Sequence, residues 1–153
     1  MMNIKLWLPA IFPVLLACQQ QTDVFQPDLV PDVSTGRWYS KDQLETGKRL
    51  FAVNCAICHG ADAQGRAEWK KTDENGNFPP PPLNGNAHAW HHSLAMLGEV
   101  IKAGGQPMGG IMPAFKQTLS DEQILALISS FQSYWDQRTY EKWLAMEQQS
   151  RVD

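Results

Sequence analysis

Cys55 and Cys58 stand three positions apart, and His59 follows directly. Residues at this spacing share one side of a helical turn, so both thiols can reach one flat partner and add across the vinyl groups of a haem. The next residue then comes beneath the ring, where its imidazole can ligate iron. A thioredoxin-like dithiol would need a βαβ pattern around the pair, and none is visible. A zinc site would need a second ligand pair, yet no cysteine follows Cys58 and the later histidines have no partner pair. A chance match in an exported chain is the remaining alternative. The spacing therefore predicts one haem of the c type, covalent through Cys55 and Cys58, with His59 on the iron.

The chain around this motif has 153 residues, 43% of them apolar and 19% charged, which suits one globular domain of modest core. A large apolar cofactor would add to that core. Thirteen basic residues stand against sixteen acidic ones, giving a net charge of −3 without a basic patch, so nucleic acid is excluded as a partner.

Residues 1–17 run from Lys5 into an apolar stretch interrupted by Pro9 and Pro13. It is too short for a transmembrane helix and has the polarity of a signal peptide. Its end, Leu15-Leu16-Ala17-Cys18, resembles a bacterial lipoprotein box, which implies lipid on Cys18; an ordinary signal peptide with an incidental cysteine is the other reading. Several acyl chains on one residue give stable anchoring. Cleavage would remove Lys5 and no acidic residue, moving the net charge from −3 to −4. Gln19, standing where lipoproteins of the inner membrane typically carry aspartate, favours the outer membrane over the inner. Residues 18–39, with three glutamines at 19–21 and prolines at 27 and 31, read as a lipid-anchored, extended tether.

Three helices must position the motif. Ser40-Lys41-Asp42-Gln43 has the pattern of a capping box, and Leu44, Gly47, Leu50 and Phe51 follow at helical spacing. A glycine inside a helix costs about 1 kcal/mol relative to alanine, so Gly47 calls for a close approach of another helix. Ser93 opens a second helix through Leu94, Leu97, Val100 and Ile101, ended by Gly104-Gly105. Another capping box, at Ser120–Gln123, opens a stripe of Ile124, Leu127, Ile128, Phe131 and Trp135. No strand alternation competes, so the fold is expected to be all-α.

A helix with Gly47 and Phe51, the motif at 55–59, a Pro-Leu segment at 81–83, a glycine-flanked Met-Pro at 112–113 and a C-terminal helix, in this order, resemble a class I cytochrome c. The resemblance covers residues 40–134 and leaves 135–153 as a C-terminal extension. It implies N- and C-terminal helices crossing at Gly47 around one covalent haem. The family often presents a tyrosine at that crossing; here Ser130 stands beside Phe131, with Phe131 or Trp135 as candidates to fill the space.

The resemblance also implies a methionine as second iron ligand, a soft thioether that stabilises Fe(II). Met112, in Gly109-Gly110-Ile111-Met112-Pro113-Ala114-Phe115, resembles the family's ligand loop; Met108 is the alternative, and Met96 reads as core. His88, His91 and His92 compete as ligands, or else are surface or propionate-edge residues near a helix cap. The Pro81 carbonyl is the implied acceptor for the His59 ring N–H, Leu83 would pack on the haem, and Trp90 or Asn84 would donate to its propionates. Residues 66–78 form a polar loop, either a solvated insertion or a docking element. The aromatic residues of the tail, Tyr140 and Trp143 among them, are expected to cover the outside of the last helix.

A six-coordinate haem leaves no site for substrate. The expected protein is therefore not an enzyme but a monomeric single-electron carrier of the bacterial envelope. It would face the periplasm, be membrane-bound through Cys18, and exchange electrons with redox partner proteins. The alternatives are a haem sensor or peroxidase-like enzyme with an open sixth position, and a fixed electron-transfer subunit of a larger oxidoreductase.

Overall fold

The computed structural model describes residues 25–152; the signal-peptide and lipidation readings at 1–17 and Cys18 lie outside them. Five α-helices follow in order: α1 Lys41–Asn54, α2 Ala56–His59, α3 Leu94–Ala103, α4 Asp121–Gln132 and α5 Gln137–Gln149. Short 3-10 turns occupy Ala89–His91 and Gln106–Met108. No strand forms among the described residues, and Phe78 and Gly110 make an isolated parallel bridge. The all-α expectation holds.

The serine caps work as local chemistry dictates. Ser40, Ser93 and Ser120 each accept the amide three residues on, from Gln43, Met96 and Gln123. The reciprocal side-chain bond of a full capping box forms at Ser120 and not at Ser40.

Helices α1 and α4 cross at Gly47. A Cβ placed there would stand 1.8 Å from Ala126 O and 3.2 Å from Ser130 Cβ, so only glycine permits the approach. Ser130 turns its hydroxyl back onto Leu127 O and leaves the crossing to backbone contact. Phe131 is buried in the core, and Trp135 lies elsewhere, against Gly85. Trp135 does not belong to the helical stripe. Ser129, Ser130 and Ser133 hydroxyls donate to the Ala126, Leu127 and Ser130 carbonyls, competing with helix continuation, and α4 ends at Gln132.

Two further expectations give way. From Phe25 onward, the segment read as a tether is part of the folded body: Phe25, Trp38 and Tyr39 are buried in the core cluster. A Cβ at Gly98 on α3 would fall 2.3 Å from the Phe25 ring, which fills that notch. Trp38 Nε1 donates to Gln132 Oε1 at 2.7 Å, and Arg37 donates to the Gln132 and Trp135 carbonyls at 3.1 and 2.9 Å. A cation on the terminal carbonyls of α4 complements the helix dipole. The glutamine run at 19–21 and the prolines at 27 and 31 suggested an extended linker, while three aromatic side chains decide the packing. The tail likewise is more than a cover. Tyr140 and Trp143 are buried, and Tyr140 OH accepts the Trp38 amide at 3.0 Å.

Candidate haem site

Helix α1 delivers the motif through Cys55, whose amide still bonds Phe51 O, and α2 carries Cys58 and His59. Both cysteines are free thiols. Burial, helped by the neighbouring Cys58, pushes the Cys55 thiol up to about 11. A redox-active dithiol would need the opposite shift, toward thiolate. The environment therefore argues against the thioredoxin-like alternative.

His59 is 8% exposed, and its Nδ1 lies 2.9 Å from the Pro81 carbonyl oxygen. That geometry makes Nδ1–H the donor and leaves Nε2 with its lone pair. Among the described residues Nε2 takes no hydrogen bond. Burial holds the imidazole below the ordinary histidine range, against the opposing pull of the Pro81 bond, so the ring is neutral and competent as a ligand.

The loop behind His59 is built to receive the proline segment. Gly65, at φ +64, donates to His59 O at 2.7 Å. A Cβ there would meet Pro82 N at 2.3 Å, so the tetraproline stretch lies directly on it. Arg66 N donates to Pro80 O at 2.9 Å, and Leu83 N donates to Ala63 O at 2.8 Å. Leu83 is partly buried against the core.

Met112 is half-buried and packs on the same core. Its loop is pinned by Gly105 N donating to Met112 O at 2.9 Å and by Phe115 N donating to Ile101 O at 3.1 Å. Met108 is 50% exposed, on the short turn before it. The 66–78 loop ends against this region, with Phe78 N donating to Gly109 O at 2.8 Å. Phe78, Met108 and Ile111 leave apolar surface uncovered beside Met112.

The competing histidines engage one another and their neighbours. His88 stacks on Trp69 at 5.1 Å between centroids and meets His92 edge-on at 5.3 Å, while His91 packs against Trp90 at 3.6 Å. Trp90 is half-buried, with Lys142 Nζ 5.4 Å from its ring centre. Asn84 Oδ1 accepts the Asn86 amide. A polar cleft of about 450 Å³ lies among Asp62, Asn84, Tyr134 and Asp136, and none of the other anticipated haem contacts lines it.

The donor set fits a covalent haem: two free thiols at vinyl spacing, a buried neutral imidazole with one nitrogen held and one free, and a thioether beside uncovered apolar surface. Fold and site together define a cytochrome c domain.

Residues 42–129 match the family model described as cytochrome C oxidase, cbb3-type, subunit III, and the chain belongs to that family. Over 85 residues it is 34% identical to the cbb3-type cytochrome c oxidase subunit FixPc of Rhizobium leguminosarum bv. viciae, covering 54% of this chain and 25% of that protein. It is 33% identical over 90 residues to the corresponding CcoP subunit of Rhodobacter capsulatus, covering 54% and 26%. The chain thus spans about a quarter of the length of these relatives. The solved structure of cytochrome cL from Methylophaga aminisulfidivorans superposes with a TM-score of 0.51 at 22% identity, over 74% of this chain and 67% of that one. Membership in the family implies covalently bound haem c.

Proposed function

We propose that this protein is a single-electron carrier with one haem c, ligated by His59 and Met112 and attached through Cys55 and Cys58. The observation that carries the reading is the His59 ring, buried and held by Pro81 O at 2.9 Å with Nε2 free. When bound, the haem supplies the one-electron Fe(III)/Fe(II) couple. The chain supplies what tunes it. Pro81 fixes the imidazole tautomer, and Leu83, Phe78 and Ile111 provide apolar surroundings that limit solvent reorganisation. Met112 would be the second residue to hold the iron, and with both protein ligands in place the haem would serve electron transfer alone. Lipid on Cys18 anchors the domain to a bacterial envelope membrane, facing the periplasm and favouring the outer membrane. There it raises the local concentration of redox partner proteins.

A second reading is favoured by the relatives, which are subunits of cbb3-type oxidases. In it the same haem serves as a fixed electron-transfer subunit of a larger oxidoreductase. A stable partner that co-purifies from the native membrane distinguishes it from a free monomeric carrier.

The ligation is tested by the far-red optical spectrum of the oxidised, haem-loaded protein beside Met112→Ala and Met108→Ala. A weak sulfur-to-iron band present in the parent and in Met108→Ala, and lost in Met112→Ala, is expected. A high-spin parent that binds carbon monoxide readily once reduced would move the function to sensing or peroxide chemistry.

A further inference from the structure

The four prolines at 79–82 have no N–H, so this stretch cannot be held by amide donors of its own. Its position depends on what its carbonyls accept and on the first amides beyond it. Arg66 N donates to Pro80 O, and Leu83 N and Asn84 N both donate to Ala63 O, at 2.9, 2.8 and 3.2 Å. Those partners, Ala63 and Arg66, lie on the loop that follows His59. Two anchors come from other parts of the fold: just before the stretch, Phe78 N donates to Gly109 O at 2.8 Å, and just beyond it an indole holds a carbonyl. Trp135 Nε1, at the junction of α4 and α5, donates to Leu83 O at 2.8 Å.

Trp135 is itself firmly placed. It is 2% exposed, and its ring lies where a Cβ on Gly85 would come 3.2 Å from Cδ1. Trp143 backs the ring at 6.1 Å between centroids, and Arg37 holds its carbonyl at 2.9 Å. The indole N–H therefore grips the chain two residues beyond Pro81, whose carbonyl holds His59 Nδ1.

We infer that Trp135 is a positioning residue for the proximal imidazole: by holding Leu83 O it sets Pro81 O against His59 Nδ1–H. The inference rests on the His59 ligation proposed above. A firm Nδ1–H bond makes the imidazole a stronger donor and favours ferric iron. Releasing the Leu83 carbonyl loosens that bond and raises the reduction potential.

The test uses the full haem-loaded chain as parent, Trp135→Phe and Trp38→Phe. Trp38 supplies a second buried indole donor, to Gln132 Oε1, away from the proline segment. Midpoint potential and the solvent exchange of the His59 Nδ1 proton in the ferrous protein are measured. Trp135→Phe is expected to raise the potential and to speed exchange about fivefold, the effect of one weakened hydrogen bond. Trp38→Phe is expected to lower the melting temperature and leave both readouts unchanged. If Trp135→Phe does not fold, benzothienylalanine at position 135 removes the N–H while keeping the ring. Parental values in the Trp135 variant, or equal changes in Trp38→Phe, overturn the inference. A parent spectrum that shows His59 is not on the iron overturns the ligation and the inference with it. Failure of the inference alone leaves that parent spectrum intact.

Discussion

Glu147 Oε2 accepts the backbone N–H of Leu94 at 2.8 Å, joining the C-terminal helix to the N-terminus of α3. The carboxylate is 1% exposed, and Arg151 Nε donates to its other oxygen at 2.9 Å. Arg151 NH2 also stands 2.9 Å from that oxygen, as an ion-pair contact without hydrogen-bond geometry. Through Nη1 the same guanidinium donates to Pro27 O, so one ion pair, buried at Glu147 and partly exposed at Arg151, ties the tail, α3 and the N-terminal segment together.

Removing the carboxylate orphans the buried Leu94 amide and leaves the partly exposed Arg151 guanidinium without its partner. Glu147→Ala is therefore expected to destabilise the protein by about 3 kcal/mol in denaturant unfolding. The haem spectrum of the folded variant should match the parent, because no predicted iron ligand is touched. A loss under about 0.5 kcal/mol, as for an exposed pair, would contradict the buried clamp.

Gly47→Ala places a carbon where Ala126 O stands 1.8 Å away, too close for any rotamer to relieve. The helices must separate, and a loss of about 2–3 kcal/mol is expected from overpacking. Thermal melting of the haem-loaded variant checks it. An unchanged melting temperature would show that α1 and α4 do not cross at this residue.

Phe25 fills the notch above Gly98 with its ring, and Lys102 Nζ lies 5.2 Å from the ring centre. Phe25→Ala is expected to cost about 3 kcal/mol, as for a buried aromatic. A solvated tether would tolerate the change without effect, so denaturant midpoints separate the two descriptions.

His88 and His92 are held below the ordinary histidine value of 6.5, first by burial. Neighbouring positive charge adds to it, from His91 and Lys70 at His88 and from His88 and His91 at His92. A depressed histidine is neutral in the folded chain while the unfolded chain takes up protons, so stability is full above about pH 6.5 and is lost on further acidification. Unfolding midpoints at two pH values, one on each side of 6.5, should fall more steeply in the parent than in the double variant His88→Gln, His92→Gln. Equal slopes would remove these histidines from the acid response.

Local order was legible wherever short-range chemistry decides it. Serine caps opened α1, α3 and α4 because a hydroxyl satisfies an orphan amide three residues on, whatever lies around it. The glycine at 47 announced a crossing for the same reason of local cost. The end of α4 was harder to read. The apolar period carried on to Trp135, and three serine hydroxyls bonding back to carbonyls ended the helix first.

The sequence by itself determined the grouping of Cys55, Cys58 and His59, because residues within one helical turn need no distant contact to be brought together. The helical class followed from periodicity. Contacts between residues far apart in the chain were decided by the tertiary structure alone. The grip of Trp135 on Leu83, the Phe25 ring against Gly98 and the Glu147 carboxylate on Leu94 span 52, 73 and 53 residues. No local pattern encodes such pairs, because each depends on shape and burial assembled from several segments at once. The residues at 25–39 and 135–149 therefore read as linker and cover, while in the folded protein their aromatic side chains are built into the core and Trp135 reaches the proline segment.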